Sequence, residues 1–141
     1  MHEHIALSAA LIVTNDDFLA DHLGRTLRTL DWIAVSVDRG DTALEMMDVV
    51  AFSLVVVDVV SAADWHVCRR LVQSGRSPIA VVTDFLAEDR SYRRFAFEMG
   101  VSAYTGKPCT PDGLREMLSR LERGERYIDL AAGKVKDLSG G

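Results

Sequence analysis

The sequence is poor in the features that mark several protein classes. Its two cysteines, Cys68 and Cys109, lie far apart and outside any CxxC pattern, so we expect reduced thiols and no disulfide framework. The 16 basic residues are scattered and are outnumbered by 21 acidic ones, which disfavours a nucleic-acid surface. No apolar run approaches the roughly 18 residues that cross a bilayer, and no basic region precedes the N-terminal apolar stretch. We therefore expect a cytoplasmic protein without membrane or nucleic-acid contacts.

A phosphate-cradling loop is also missing. After the first apolar run the chain reads TNDDFLADHLG, residues 14–24, which is acidic and lacks a turn rich in glycine, serine and threonine. Flavin and nucleotide sites of α/β proteins use such a loop at the start of the first helix. An electron carrier of the flavodoxin type and a small α/β enzyme are thus disfavoured, and no enzymatic activity is expected.

What the chain does contain is a regular alternation of apolar segments. Five short runs rich in β-branched residues predict strands buried on both faces. They are residues 10–14, 32–37, 53–58, 78–83 and 101–105. The segments between them have helical apolar spacing, and Thr110 and Pro111 mark the start of the last helix. This order predicts one α/β domain with a parallel sheet and helices on both faces.

Polar residues follow several of the predicted strands. They are Thr14, Asn15 and Asp16 at the first, Asp58 at the third, Thr83 and Asp84 at the fourth, and Lys107 and Pro108 at the fifth. Ligands of open parallel sheets bind beyond the carboxyl ends of the strands, where the strand order reverses. We therefore expect a carboxylate, a hydroxyl and an ammonium group to converge at one edge of the sheet.

This ordered set resembles the receiver domain of bacterial two-component response regulators. The matching pieces are VVVD ending in Asp58, AVVT ending in Thr83, and GVSAYTGKP with Tyr104, Lys107 and Pro108. The resemblance covers about residues 8–123 and implies a flavodoxin-like (βα)5 sandwich with a parallel five-stranded sheet of order 2-1-3-4-5. Residues 124–141 would then be a C-terminal tail without an effector domain.

The resemblance also implies a role for each matching residue. Asp58 would accept a phosphoryl group from a sensor histidine kinase or a phosphotransfer protein, while Lys107 and Thr83 would contact the added oxygens. Tyr104 would be the switch aromatic, and the Lys107-Pro108 bond resembles a cis peptide of the family. The protein would signal to a downstream protein partner. The fourth helix, fifth strand and fifth helix would form the face through which such domains form homodimers.

The chain departs from the family beside Asp58. Receivers normally carry two adjacent acids after the first strand to hold Mg²⁺, but an alignment without gaps places Thr14 and Asn15 there. The expected Mg²⁺ ligands are therefore Asp16, Asn15 and Asp58. The loop after Asp58 lacks Met-Pro and carries Trp65 where a glycine is expected, so Trp65 would narrow the pocket or form a docking surface.

Two hypotheses remain open at this point. The first is a single-domain response regulator that is phosphorylated on Asp58. The second is a pseudo-receiver, an interaction module of the same fold that works without phosphorylation because its Mg²⁺ pocket is degraded. Structural roles also remain open, since Asp58, Asn15 and Asp16 are residue types that cap helices and Tyr104 could simply pack in the core.

Overall fold

A computed structural model describes residues 8–84, 90–107 and 109–129. Strands and helices alternate along this part of the chain. The strands are β1 (Ala9–Val13), β2 (Ile33–Val37), β3 (Leu54–Val59), β4 (Ile79–Thr83), β5 (Ala103–Gly106) and β6 (Tyr127–Asp129). The helices are α1 (Asp17–Thr29), α2 (Gly40–Val49), α3 (Ala62–Ser74), α4 (Arg90–Met99) and α5 (Pro111–Glu122). None of these helices is long and apolar enough to cross a membrane.

All six strands are parallel and form one sheet of order β2-β1-β3-β4-β5-β6. The predicted order of the first five strands is confirmed. The chain passes from β1 outward to β2 and then returns to the other side of β1 as β3, so the strand order reverses between β1 and β3. The carboxyl ends of these two strands therefore flank the crevice where a ligand site is expected.

Helices cover both faces of the sheet, which explains why the strands are continuously apolar. On one face, Val55, Val57 and Val59 of β3 belong to a core that also contains buried residues of α2, α3 and α4. On the other face, Leu54 and Val56 belong to a core with buried residues of α1 and α5. Side chains alternate between the two faces along a strand, so Asp58 points to the α1 and α5 side at the end of β3.

β6 lies in the segment that the sequence analysis assigned to a tail. Tyr127 pairs with Ala103 and Ile128 with Tyr104, so the domain extends past residue 123. Tyr127 is buried, and the guanidinium of Arg126 lies 5.2 Å from the ring centroid of Phe97 on α4. The outer edge of β5, which belongs to the predicted dimer face, is therefore paired within the chain. The rest of the predicted tail, 130–141, lies outside the described residues.

Candidate functional site

Asp58 is a buried carboxylate near the end of a central strand. All six residues of β3 are buried, and Asp58 itself is only 8% exposed. Its neighbour across the sheet is Val82 of β4. Burial of a charge is costly unless the charge is paired and hydrogen-bonded, so the partners of Asp58 determine whether it can be ionised here.

Lys107 supplies the opposite charge. Its Nζ lies 2.8 Å from Oδ1 of Asp58, and the lysine side chain is 19% exposed. Lys107 directly follows β5, and its backbone N–H donates to the carbonyl of Thr83 at 3.0 Å. This bond fixes the start of the loop, so the ammonium group is held over the ends of β3 and β4. The predicted convergence of Asp58 and Lys107 at the carboxyl edge is present.

Thr14 supplies the second contact to Asp58. Its hydroxyl donates to Oδ2 at 2.6 Å, and both residues are buried. The same hydroxyl oxygen accepts from the backbone N–H of Asp16 at 2.9 Å. Oδ2 of Asp58 is therefore hydrogen-bonded, whereas Oδ1 is in an ion pair with Lys107 and has no hydrogen-bond partner among the described residues. The hydrogen bond from Thr14 to Asp58 was not predicted from the sequence.

Asp16 is the N-cap of α1. Its Oδ1 accepts from the backbone N–H groups of Phe18 at 2.9 Å and Leu19 at 3.2 Å, which are two of the groups left free at a helix start. Asn15 is exposed beside it. Both predicted metal ligands thus line the same crevice as Asp58, and one of them has a capping role in the helix.

Thr83 ends β4 and is completely buried. Its hydroxyl donates to the carbonyl oxygen of Val59, the residue after Asp58, at 2.7 Å. Thr83 therefore ties the ends of β3 and β4 together, but unlike Asp58 and Lys107 it does not line the crevice.

Tyr104 and Trp65 lie in the core on the α3 and α4 side of the sheet. Tyr104 is completely buried, so the ring is turned inward. Trp65 is on α3, is 9% exposed, and meets Phe95 of α4 edge to face with 5.2 Å between ring centroids. Trp65 is not among the residues that line the crevice, so the expectation that it narrows the pocket is wrong. Pro108 lies outside the described residues.

The loop after Asp58 instead places an acid in the crevice. Asp64 forms a capping box with Ser61, and its Oδ2 accepts from the N–H groups of Val60 at 2.8 Å and Ser61 at 3.0 Å. Asp38, directly after β2, also lines the crevice. Neither Asp64 nor Asp38 was predicted from the sequence as a site residue. The available signals were the SAAD pattern at 61–64 and the position of Asp38 after the second apolar run.

The crevice has a volume of about 230 Å³ and is strongly acidic. Four of its lining residues are acids, Asp16, Asp38, Asp58 and Asp64, whereas Lys107 is the one basic residue among the described residues that line it. A phosphoryl dianion entering this crevice would meet repulsion from the three acids around Asp58.

The donor set does not fit a preformed Mg²⁺ site. Mg²⁺ demands nearly octahedral oxygen ligands and usually takes one or two carboxylates. Oδ2 of Asp58 accepts from Thr14, and Oδ1 lies in an ion pair with Lys107 without a hydrogen bond. Oδ1 of Asp16 accepts two helix N–H groups, and Thr14 replaces a carboxylate with a hydroxyl. Within 8–84, 90–107 and 109–129, no three acids, histidines or cysteines come together as a metal site.

The two thiols lie in the core. Burial raises the pKa of Cys68 from 9.0 to about 12. Burial also raises the pKa of Cys109 to about 11, and the nearby Asp129 carboxylate adds to this rise while a hydrogen bond with Thr105 opposes it. Both thiols therefore stay protonated at neutral pH, and they are free.

The fold matches that of response regulators of known structure. A response regulator of Thermotoga maritima has a TM-score of 0.74 and 17% identity, and the match covers 82% of this chain and 98% of that one. The chemotaxis protein CheY4 of Vibrio cholerae has a TM-score of 0.73 and 18% identity over 82% of this chain and 98% of its own. A putative response regulator of Chloroflexus aurantiacus has a TM-score of 0.68 and 24% identity over 84% and 97%.

No family model and no curated protein matches the chain. The structural matches confirm the flavodoxin-like receiver fold that the sequence predicted. At identities below 25% they show the fold alone, so the chemistry of the crevice has to be argued from its own residues.

Proposed function

We propose that this chain is a single-domain response regulator of a two-component phosphorelay, with Asp58 as its phosphoacceptor. The observation that carries the proposal is the 2.8 Å pair between Lys107 and Asp58 at the carboxyl edge of a receiver-type sheet. It is supported by Thr83, whose hydroxyl lies at the end of the neighbouring strand. The phosphodonor would be a phosphohistidine on a sensor histidine kinase or a phosphotransfer protein.

In the proposed reaction a carboxylate oxygen of Asp58 attacks the phosphorus of the phosphohistidine. A P–O bond forms and the P–N bond breaks, and the leaving imidazole keeps the electron pair and takes a proton from solvent. The product is an acyl phosphate with two negative charges on its outer oxygens. Lys107 would pair with those oxygens, and the hydroxyl of Thr83 would donate to one of them.

The signal would then pass through the core beside α4. Tyr104 packs in the same core cluster as Trp65, and Trp65 contacts Phe95 of α4. Thr83 is on β4 and Tyr104 is on β5, and these two strands pair along their length. A shift of Thr83 toward the phosphoryl group would therefore loosen the packing of β4 beside Tyr104. Repacking of Tyr104 would in turn change the position of α4, and a downstream protein partner would bind to that altered surface.

A second candidate, the phosphorylation-independent pseudo-receiver, is favoured by one specific observation. Thr14 already holds Oδ2 of Asp58 at 2.6 Å, and Lys107 already holds Oδ1. In this case the Asp58 pair would be a structural element of an interaction module, and its partner would bind without any change at the carboxylate.

Intact mass spectrometry separates the two candidates. The protein is incubated with a small phosphodonor, such as phosphoramidate, and is compared with Asp58→Asn. The proposal predicts that the wild-type chain gains the mass of one phosphoryl group and that Asp58→Asn does not. Absence of the adduct in folded wild-type protein would support the pseudo-receiver instead, and an equal adduct in Asp58→Asn would place the modification elsewhere.

A further inference from the structure

We infer that the Thr14 hydroxyl, rather than a divalent cation, orients the carboxylate of Asp58, so that the crevice does not bind Mg²⁺ as the family resemblance implies. This inference rests on the proposed function, because it concerns the regulation of the same carboxylate. It follows from the disagreement between the donor set of the crevice and the Mg²⁺ site that the family resemblance implies.

First, Thr14 and Lys107 hold the carboxylate of Asp58. Thr14 donates to Oδ2 at 2.6 Å, and the Lys107 ammonium lies 2.8 Å from Oδ1 in an ion pair without a hydrogen bond. One oxygen is therefore oriented by a hydroxyl, and the other faces a positive charge. The hydroxyl itself is fixed by the N–H of Asp16 at 2.9 Å. A bound cation would orient and neutralise the carboxylate. Here the hydroxyl orients it and the ammonium neutralises it.

The second step is the state of the expected metal ligands. Asp16 accepts the N–H groups of Phe18 and Leu19, so binding a cation through Oδ1 would cost α1 its cap. Asn15 is exposed and offers an uncharged amide oxygen. The ligands next to β1 therefore bring less negative charge, and less freedom to move, than a pair of adjacent carboxylates would bring.

The third step is the position of the remaining acids. Asp38 and Asp64 line the crevice, yet Asp64 accepts two backbone N–H groups of its own loop. The described residues contain no cluster of three acids that could hold a metal. These acids therefore do not replace the carboxylates that are missing after β1.

Isothermal titration with Mg²⁺ alone tests the inference. The wild-type chain should give no saturable binding at millimolar Mg²⁺. Asn15→Asp, and Asn15→Asp combined with Thr14→Asp, should bind Mg²⁺ at least about tenfold more tightly than wild type, because each adds a carboxylate after β1. Thr29→Asp is the matched control, since it adds the same charge at the other end of α1, outside the crevice, and should not bind.

The single variant guards against misfolding of the double variant, because Asn15 is exposed whereas Thr14 is buried. Saturable binding of Mg²⁺ by the wild-type chain, or an affinity that Asn15→Asp leaves unchanged, would overturn the inference. The titration involves no phosphate. A chain that forms no adduct on Asp58 but also binds no Mg²⁺ would therefore refute the proposed function and leave the metal inference standing.

Discussion

The crevice around Asp58 has two halves that differ in how closely they follow the receiver pattern. The acceptor half consists of Asp58 and Lys107 at the ends of β3 and β5, whose side chains meet as the receiver pattern predicts. Thr83 is buried at the end of β4 beside them, where its hydroxyl donates to the carbonyl of Val59. The cation half, Thr14 to Asp16 between β1 and α1, has a hydroxyl and an amide where two carboxylates are expected. The two halves nevertheless meet on one carboxylate, each contacting a different oxygen of Asp58.

This comparison indicates that protein groups alone can position the buried carboxylate of Asp58. A cation-binding pair of acids beside Asp58 would repel the carboxylate until the cation arrives. Thr14 adds no charge, so Asp58 is held in the same way whether or not a cation is present. Substitutions in each half test this comparison, and a substitution of Trp65, which lies outside both halves, serves as the reference.

Trp65→Ala should give the largest loss of stability, about 3 kcal/mol, because it removes a buried ring that packs against Phe95. Urea unfolding measures the loss, and Trp65→Phe should lose much less. Phosphodonor labelling of the folded fraction should stay at the wild-type level because Trp65 does not line the crevice. A loss of phosphodonor labelling without a loss of stability would show that Trp65 does contribute to the crevice.

Lys107→Met removes the ion pair of the acceptor half and should lower the free energy of unfolding by about 2 kcal/mol. This loss is smaller than that for breaking a fully buried ion pair, because the crevice is open to water. The charge of Asp58 would then lie unpaired among the neighbouring acids. In an Asp58→Asn background the same change should cost much less. Equal losses in both backgrounds would show that the 2.8 Å pair contributes nothing to stability.

Thr14→Val breaks the cation half and should cost about 1.5 kcal/mol, since it removes a hydrogen bond to a charged acceptor and the partner of the Asp16 N–H. Thr14→Ser keeps the hydroxyl and should retain most of the stability. Thr83→Val should cost less, about 1 kcal/mol, because its acceptor is a neutral carbonyl. A smaller loss for Thr14→Val than for Thr83→Val would contradict the role given to Thr14.

Cys109 lies between the two halves, and the ionisation of its thiol affects stability only in alkaline solution, so at neutral pH this effect is the smallest. Its carbonyl accepts from Nε2 of His22 on α1 at 2.9 Å, and it lies in the loop that carries Lys107. Burial raises the thiol pKa from 9.0 to about 11. The folded state thus holds the proton more tightly than the unfolded state, so this stability is complete below pH 9 and is lost as pH rises toward 11.

Urea unfolding at a series of pH values checks this dependence. The free energy of unfolding should fall more steeply above pH 9 for the wild-type chain than for Cys109→Ala. Cys68→Ala is the comparison for the second buried thiol, whose pKa is raised further. Identical alkaline slopes in wild type and Cys109→Ala would show that the Cys109 thiol is accessible to water.

Much of the fold could be predicted because most strands lie inside the sheet, between helices on both faces. A strand covered on both faces must be continuously apolar, and β1, β3 and β4 carry that signal in full. β6 carries none, since it has only three residues and one of them is an aspartate. Such a strand depends on its pairing with β5 and on the burial of Tyr127, which are contacts between distant parts of the chain.

Some contacts of the site could likewise be predicted from the sequence, and others could not. The approach of Lys107 to Asp58 follows from strand order, because parallel strands bring their carboxyl ends to one edge. The bond from Thr14 depends on side-chain conformations that the sequence does not reveal. The burial of Trp65 could have been predicted from the sequence, because Trp65, Cys68 and Leu71 recur every three residues on the buried face of α3. Trp65 was instead assigned to the pocket because the family has a glycine at that position.

We propose that Asp58 accepts a phosphoryl group while Lys107 and Thr14, rather than a cation, hold its carboxylate. The most direct test measures by intact mass the rate at which the phosphoryl adduct forms on the wild-type chain, in Mg²⁺ and in excess chelator, with Asp58→Asn as the blank. We predict that the adduct forms at closely similar rates in both solutions and is absent from the blank. An adduct that appears only in Mg²⁺, or in neither solution, would contradict the claim.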